Sequence, residues 1–338
     1  MRIGVFDLGT RAARLLIGDD ADLGFRKNFG QLTQVGEYFD DQGELREEGI
    51  QRTLDVLRGF LREAEPFDVE QYVLVGTAVF RKARNRSRLL DLIKDVLGIQ
   101  MTILEEEEEA YLSLLSAFFH FQHEIEKRQP VLLIDQGGGS TEVSCGELNQ
   151  ERFHFWGLGS LELGSVLLKN LFLENPRISV GESYRRAMSY IEREVAQHSF
   201  FPELRDRPPT RAFGMGSAIT NITGVRGNRR QHGRVITVER MQYLINTRID
   251  FYESNHMTVE HFLQLAEDQE RQEDFENDLL MLYGLPVYQS LLRTYHLNRL
   301  TVCGYGLRYG VFIYLALPGI CERDFHFRLT HRDELRAP

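Results

Sequence analysis

The feature that most constrains this chain is a glycine-rich stretch that directly follows an apolar run. Residues 131–134 are apolar and lead into Asp135, and three glycines at 137–139 precede Ser-Thr-Glu at 140–142. The apolar run predicts a buried strand, and the glycines predict a sharp turn into a second strand. Because glycine has no Cβ, backbone N–H groups there can approach an anion closely. A β-hairpin with a loose glycine turn is the alternative interpretation, although three glycines are costly to order.

The same layout occurs at the start of the chain. Residues 3–6 predict an apolar strand that ends at Asp7, and Asp7-Leu8-Gly9 turns into a second predicted strand at 13–18. Asp135-Gln136-Gly137 repeats this Asp-x-Gly pattern 128 residues later. A lone Asp-x-Gly is a weak signal, but two copies that each follow a strand indicate a duplicated fold. We therefore predict an α/β protein with a phosphate-binding loop in each half.

Length and charge narrow the class of protein. A chain of 338 residues favours two domains, and a net charge of −10 argues against a nucleic-acid partner bound by bulk electrostatics. An anionic substrate would need locally clustered arginine, lysine or metal. Cys145, Cys303 and Cys321 lack metal-ligand spacing and suit a reducing compartment. The first residues enter a strand pattern directly and no long apolar span follows, so we expect a cytoplasmic protein with no membrane partner.

Polarity and periodicity predict the domain boundaries. Residues 120–129 are polar, and we expect an N-terminal domain at 1–124, a C-terminal domain at 125–321 and a loosely held polar tail at 322–338. Apolar residues at helical spacing predict helices at 44–65, 105–119, 161–172, 182–198 and 307–317, with 237–295 largely helical.

A run of five glutamates at 105–109 opens one of these predicted helices. Acidic side chains favour a helix N-terminus because the macrodipole there is positive, which explains most of the run. Glu109 lies one turn before Leu112, at the edge of the apolar face. It is therefore the glutamate best placed to turn inward.

Two further stretches could meet an anion. Arg81, Lys82 and Arg84 follow a predicted strand, where an anion site and a solvated helix end are equally open interpretations. Residues 214–217, Gly-Met-Gly-Ser, form a second glycine and hydroxyl loop at a predicted helix N-terminus. A basic loop, for which a solvated surface is favoured over a lip that binds polyanions, contains Arg226, Arg229, Arg230 and Arg234.

In this order the stretches resemble the exopolyphosphatase/guanosine pentaphosphate phosphohydrolase family of the actin-like ATPase superfamily. Residues 134–142 are similar to its Asp-Ile-Gly-Gly-Gly-Ser-Thr-Glu motif, and residues 107–110 resemble the segment that carries its catalytic glutamate. Residues 77–85 match its Thr-x-Ala-x-x-Arg-x-Ala-x-Asn pattern loosely, and residues 304–310 resemble its Gly-Leu-Arg-Glu-Gly segment. The resemblance runs from Met1 to about residue 317, as in the short form of the family.

The resemblance implies a fold and an activity. The fold would be two ribonuclease-H-like (actin-like ATPase) domains with the active site in the interdomain cleft, and a homodimer is a further implication. The activity would be release of the terminal phosphate from inorganic polyphosphate or guanosine pentaphosphate. The implied cofactor is Mg²⁺ or Mn²⁺.

The resemblance also implies roles for individual residues. Glu109 would be the catalytic general base, and Asp7, Asp135 and Glu142 would bind the metal. The residues implied to bind substrate phosphates are Thr10, Arg11, Arg14, Arg81, Gly137, Gly138, Gly139, Ser140, Thr141, Gly214, Gly216, Ser217 and Arg308.

The chain departs from the family pattern in three loops. Arg11 and Ala12 replace an amide and a hydroxyl residue, and Tyr309 stands where an acid is usual. Phe213 and Met215 occupy positions where small or hydroxyl residues are common. Two alternatives therefore stay open: a non-catalytic binder of polyphosphate or an alarmone nucleotide, and an ATP-dependent kinase or ATPase of the same superfamily.

Overall fold

The structure is a computed structural model, and it describes all residues except 11, 34, 39–41, 150–151, 199, 222–231, 268–271, 322 and 337–338. It divides into two compact units. The first comprises Met1–Phe119 and Leu307–Pro338, and the second comprises His120–Gly306.

Both units contain strands and helices. The strands are β1 (Arg2–Leu8), β2 (Ala12–Asp19), β3 (Gly24–Leu32), β4 (Gln71–Gly76), β5 (Met101–Ile103), β6 (Pro130–Gln136), β7 (Thr141–Asn149), β8 (Arg152–Leu161), β9 (Arg211–Met215), β10 (Val235–Thr237), β11 (Arg299–Val302) and β12 (Leu329–His331). The helices are α1 (Glu47–Ala64), α2 (Ala78–Lys82), α3 (Arg86–Leu97), α4 (Glu106–Phe121), α5 (Ser165–Phe172), α6 (Val180–Gln197), α7 (Ser217–Thr220), α8 (Val238–Ser254), α9 (Val259–Glu267), α10 (Gln272–Leu279), α11 (Leu285–Thr294) and α12 (Leu307–Ala316), with a π-helix at Leu280–Gly284.

The two sheets share one topology. In the first unit β1, β2 and β3 form an antiparallel meander, β4 runs parallel to β1, and β5 runs parallel to β4. In the second unit β6, β7 and β8 repeat the meander, β9 runs parallel to β6, and β11 runs parallel to β9. The predicted duplicated α/β fold with two domains is confirmed.

Each unit has its own apolar core. In the first unit the amphipathic helix α1 buries Ile50, Leu54, Leu57 and Leu61, as its periodicity predicted. The second core lies between its sheet and helices that include α5, α6, α8 and α11. Among the described residues, no helix is both long and apolar enough to cross a membrane.

The chain after Gly306 belongs to the first unit, which differs from the predicted boundary at residue 321 and from the predicted loose tail. Helix α12 packs against β1 and β2. Beyond it, Phe325 is buried and its ring contacts Tyr111 and Tyr314. Strand β12 then pairs with the first half of β4. One buried aromatic and one three-residue strand fix this segment, and neither produces an apolar period in the sequence.

Close packing of α12 yields a stability prediction. A Cβ built on Gly310 would overlap the carbonyl oxygen of Leu112 on α4, whereas a Cβ on Gly59 in α1 would meet no atom within 4 Å. Gly310→Ala should therefore lower the free energy of unfolding by about 1–3 kcal/mol through overpacking. Gly59→Ala should raise it by roughly 0.5–1 kcal/mol, because alanine costs less backbone entropy in a helix. Urea unfolding of both variants tests this, and equal effects would contradict the packing described for α12.

Candidate active site

The glycine loop of the second unit is a tight turn between two central strands. Strand β6 ends at Gln136 and β7 begins at Thr141, so residues 137–140 form the whole connection. The N–H of Gly137 donates to the carbonyl of Ser140 at 2.9 Å and closes the turn. The prediction of a sharp strand–turn–strand unit is confirmed.

The start of α5 binds the carbonyl groups of this turn. The N–H groups of Gly164 and Ser165 donate to the carbonyls of Gly139 (3.2 Å) and Gly137 (3.1 Å), and those of Val166 and Leu167 donate to the carbonyl of Gly138 (2.9 and 3.0 Å). These are N–H groups that a helix terminus cannot satisfy internally. Three successive carbonyl groups therefore face the helix.

The direction of the carbonyls determines where the N–H groups of the turn lie. No cis peptide bond occurs among the described residues, and in a trans peptide the N–H points opposite to the carbonyl of the same peptide plane. The N–H groups of Gly138, Gly139 and Ser140 therefore point away from α5. Successive backbone N–H groups on one side of a turn can bind an anion.

Two residues that sequence reasoning missed hold this arrangement. Gly164 is the N-cap of α5, and a Cβ there would overlap the backbone of Gly138 and Gly139. Gln136 is buried, and its Nε2 donates to the carbonyls of Leu163 (3.2 Å) and Gly284 (3.3 Å). The glycine before an apolar helical period was the available signal for Gly164.

Thr141 has a structural partner of its own. Its Oγ1 is buried and donates to the carbonyl of Leu163 at 2.9 Å. The hydroxyl is therefore engaged inside the second unit, so any contact of Thr141 with phosphate would use its backbone.

The two acids beside the loop lie opposite each other on neighbouring strands. Asp135 on β6 is paired with Glu142 on β7, and Ser160 Oγ donates to Glu142 Oε1 at 3.4 Å. Directly opposed side chains of like charge repel each other. Their field also reaches Tyr288, whose pKa is raised well above the usual value, first by burial and then by Asp135.

This carboxylate pair fits a magnesium ion that is completed by substrate. In the part of the chain that is described, no group of three or more His, Cys, Asp or Glu side chains could hold a metal ion. Mg²⁺, however, is commonly bound through one or two carboxylates together with substrate phosphates. Asp135 and Glu142 provide such a pair.

The first unit has the same turn with the opposite charge. The N–H of Gly9 donates to the carbonyl of Ala12 at 3.0 Å, and Asp7 is paired with Arg14 as Asp135 is with Glu142. Asp7 is only 6% exposed, and its Oδ2 lies 3.9 Å from Arg14 Nη1 and 4.0 Å from Arg308 Nη1. Two guanidinium groups already surround this carboxylate, so it fits a cation poorly and the loop fits an anion.

Two further residues of the first loop, Thr10 and Arg11, were predicted to bind phosphate. The carbonyl of Thr10 accepts a hydrogen bond from the N–H of Gly36 at 2.9 Å, which joins the loop to the segment before α1. Arg11 lies outside the described residues.

The structure brings Glu109 and Arg81 together. Arg81 lies on α2, after β4, and its Nη1 donates to Glu109 Oε2 at 2.9 Å and to the carbonyl of Leu104 at 2.7 Å. The pair is partly buried, with side chains 15% and 24% exposed. The guanidinium therefore fixes the orientation of the carboxylate.

The other glutamates of the run have separate roles. The N–H of Glu105 donates to Glu108 Oε2 at 2.9 Å, which is the return bond of a capping box at the start of α4. Glu107 forms an ion pair with Arg323 at 3.2 Å and is 58% exposed. Glu109, in contrast, contacts the predicted site residue Arg81, in agreement with its predicted inward position.

The third loop is only partly a loop. Gly214 lies within β9, paired with Ile134 and Val302, and its carbonyl accepts from the N–H of Cys303 at 2.9 Å. Gly216 has φ +97°, and the carbonyl of Gln136 leaves no room for a Cβ there. Ser217 begins α7. Gly216 and Ser217 are therefore at the end of the sheet, whereas Gly214 belongs to its interior.

The predicted basic loop is largely untested. Arg226, Arg229 and Arg230 lie outside the described residues. Arg234 is exposed, and its carbonyl accepts from the N–H of Val302 at 2.8 Å.

A family model described as the Ppx/GppA phosphatase family matches residues 27–318. The chain belongs to the Ppx/GppA phosphatase family. Membership favours the phosphatase interpretation over an ATP-dependent kinase or ATPase. The predicted roles of individual residues, the metal, the homodimer, the cytoplasmic location and the cleft stay predictions.

The curated proteins that this chain resembles carry three different names. The chain is 23% identical to a putative exopolyphosphatase of Haemophilus influenzae over 91% of this chain and 90% of that protein. It is 26% identical to a guanosine-5'-triphosphate,3'-diphosphate pyrophosphatase of Photobacterium profundum over 80% of this chain. It is 25% identical to a bifunctional 3-dehydroquinate synthase/phosphatase of Fusobacterium nucleatum over 59% of this chain. The chain spans 50% and 31% of the length of the latter two.

Solved Ppx/GppA structures share the fold. The Aquifex aeolicus PPX-GPPA enzyme aligns with a TM-score of 0.73 at 24% identity, over 93% of this chain and 99% of that one. An exopolyphosphatase from Cytophaga hutchinsonii aligns with a TM-score of 0.75 at 20% identity, over 94% and 98% of the two chains. At these identities the likeness establishes the fold.

The support of the glycine loop by α5 can be tested directly. Gly164→Ala should displace residues 138 and 139 and weaken binding of tripolyphosphate by about tenfold, the value of one hydrogen bond to a charged group. Gly157→Ala in β8 is the control, because its Cβ would meet Phe201 at an ordinary 3.6 Å. Calorimetric titration gives both affinities. If Gly164→Ala binds as tightly as the control, the loop does not bind the anion through its N–H groups.

Proposed function

We propose that this protein hydrolyses the terminal phosphoanhydride bond of inorganic polyphosphate, guanosine pentaphosphate or both. The observation that carries the proposal is the set of N–H groups at Gly138, Gly139 and Ser140, fixed to point away from α5. Family membership and the names of the Haemophilus and Photobacterium relatives support this substrate class.

Phosphate binding would be divided among fixed N–H groups and arginines. The N–H groups of the turn at residues 137–140 would donate to phosphoryl oxygens, with Gly216 and Ser217 as further candidates. Arg14 and Arg308 carry more positive charge than Asp7 can neutralise, so they would bind the oxygens of a polyanion. Preorganised donors of this kind stabilise charge that develops in a transition state without reorganisation.

Glu109 would act as the general base. A carboxylate can accept the proton of the attacking water as the new P–O bond forms, and such help is typically worth about 10²–10⁴-fold. Arg81 holds Glu109 in one orientation at 2.9 Å, which would keep the base in line with the water that it activates. The terminal phosphorus leaves as orthophosphate with the oxygen of the attacking water, and the bridging oxygen stays on the shortened chain.

Asp135 and Glu142 would hold Mg²⁺ or Mn²⁺. When bound, the ion would neutralise the charge of phosphate oxygens, as metal ions do in phosphoryl transfer. We assign the ion to these two residues rather than to Asp7, because Arg14 occupies the position in the first unit that Glu142 occupies in the second.

A binder without turnover is the second candidate. It is motivated by the ion pair of Arg81 and Glu109, since a carboxylate that is bound to a guanidinium is less available to accept a proton. Hydrolysis requires that Glu109 accept the proton through one carboxylate oxygen while Arg81 holds the other.

An activity assay separates the two candidates. The purified protein should release orthophosphate from polyphosphates of several lengths, from guanosine pentaphosphate, or from both. Chelating Mg²⁺ should reduce the rate by about 10²-fold or more, because a bound cation supplies several kcal/mol of charge stabilisation. Tight binding of these compounds with no release of phosphate in Mg²⁺ or Mn²⁺ would contradict the proposed hydrolase and support the binder.

A conservative substitution tests the base. Glu109→Gln keeps shape and volume but cannot accept the proton, so the turnover number should fall by about 10²-fold or more. Binding of the substrate should persist or become tighter, because one negative charge near the phosphates is removed. Steady-state kinetics with the substrate found above measure both quantities.

The matched control removes the same charge from the same helix. Glu106→Gln changes an exposed residue of the first turn of α4 and should alter turnover by less than about twofold, since an exposed charge contributes little. If the two variants hydrolyse at the same rate, Glu109 is not the base.

A further inference from the structure

The side chains of Arg308, Asn28 and Tyr309 in the first unit contact one another. Arg308 Nε donates to Asn28 Oδ1 at 3.2 Å, and Asn28 Nδ2 donates to Tyr309 Oη at 3.3 Å. The guanidinium carbon of Arg308 also lies 4.9 Å from the centre of the Tyr309 ring. Asn28 is on β3, while Arg308 and Tyr309 are on the first turn of α12.

The charge of Arg308 is only partly compensated. It is 4% exposed, and Asp7, whose Oδ2 lies 4.0 Å from Arg308 Nη1, is shared with Arg14. Burial, followed by the charge of Arg14, lowers the pKa of Arg308 below its ordinary value. Burying a cation whose carboxylate partner is shared with a second cation destabilises the fold unless another anion binds there.

Apart from Asp7, the groups that contact Arg308 here are neutral. An amide oxygen and an aromatic face fix the direction of a guanidinium but do not cancel its charge. Tyr309 is fully buried and supports Asn28 through its hydroxyl, so the amide is fixed as well. A carboxylate at either position would hold Arg308 equally well but would neutralise it.

We propose that Asn28, supported by Tyr309, is a positioning residue that directs Arg308 toward substrate phosphates and leaves its charge available to select polyanions. This inference rests on the proposed function, since it assigns Arg308 to phosphate binding. It adds a residue outside every loop of the family motifs.

Two substitutions of Asn28 separate its effect on the direction of the Arg308 guanidinium from the effect of its own lack of charge. Asn28→Ala removes the acceptor, so the KM for tripolyphosphate should rise by about tenfold with the slope of log KM against log salt unchanged. Asn28→Asp keeps an acceptor but adds a negative charge, so KM should rise by about the same factor and the slope should become flatter. Tyr309→Phe keeps the ring over Arg308 and should raise KM by about two- to fourfold.

The control adds the same charge to the same strand. Gln31 on β3 is exposed, and Gln31→Glu should change KM by less than about twofold, because an exposed charge is screened. Thermal unfolding of each variant identifies any loss of fold, which would appear as a lower kcat and not as a changed salt slope.

Two results would overturn the inference. An Asn28→Ala variant with unchanged KM would show that Asn28 does not position Arg308, and an Asn28→Asp variant with the wild-type salt slope would show that its neutrality is irrelevant. Failure of the positioning role can be distinguished from failure of the proposed function by measuring the affinity of the same variants for tripolyphosphate by calorimetry, without metal. If wild-type protein releases no phosphate but its affinity follows the same pattern, hydrolysis fails and the positioning role stands.

Discussion

The candidate site depends on one interaction, the binding of three consecutive loop carbonyls by the first N–H groups of α5. Without it, the glycines at 137–139 would sample many conformations, and their N–H groups would have no common direction. With it, the helix satisfies its own terminal donors and fixes the loop by the same bonds. The absence of a Cβ at Gly164 is what allows this approach. The carboxylate pair on β6 and β7 is placed beside the loop by the strands that the loop connects.

The duplicated units differ in charge where they agree in backbone. Gly9 and Gly137 close equivalent turns, yet the residue opposite the loop aspartate is Arg14 in one unit and Glu142 in the other. Under the proposed function, the guanidinium groups beside the first turn would therefore add to phosphate binding, while the two opposed carboxylates beside the second turn would hold the divalent cation. The two copies therefore share a backbone arrangement and differ in the charge at one register position.

Much of this could be predicted from sequence, because local patterns determine local structure. The two Asp-x-Gly turns, the helices with a strong apolar period and the inward position of Glu109 all follow from residues close together in the chain. What could not be predicted depends on distant residues. These contacts are the return of residues 307–336 to the first unit, the approach of Gly164 to the loop and the bond from Arg308 to Asn28. They join residues as far apart in the chain as Asp7 and Arg308. The sequence pattern also placed Gly214 in a loop, whereas its neighbours in β6 and β11 place it in a strand.

The central claim is that water attacks the terminal phosphorus while the rest of the chain leaves. Hydrolysis of tripolyphosphate in water enriched in oxygen-18, followed by mass spectrometry of both products, tests it most directly. The account predicts one labelled oxygen in the released orthophosphate and none in the pyrophosphate. Label in the pyrophosphate would mean attack at the inner phosphorus, and it would contradict the assignment of the loop at residues 137–140 and of Glu109 to the terminal phosphoryl group.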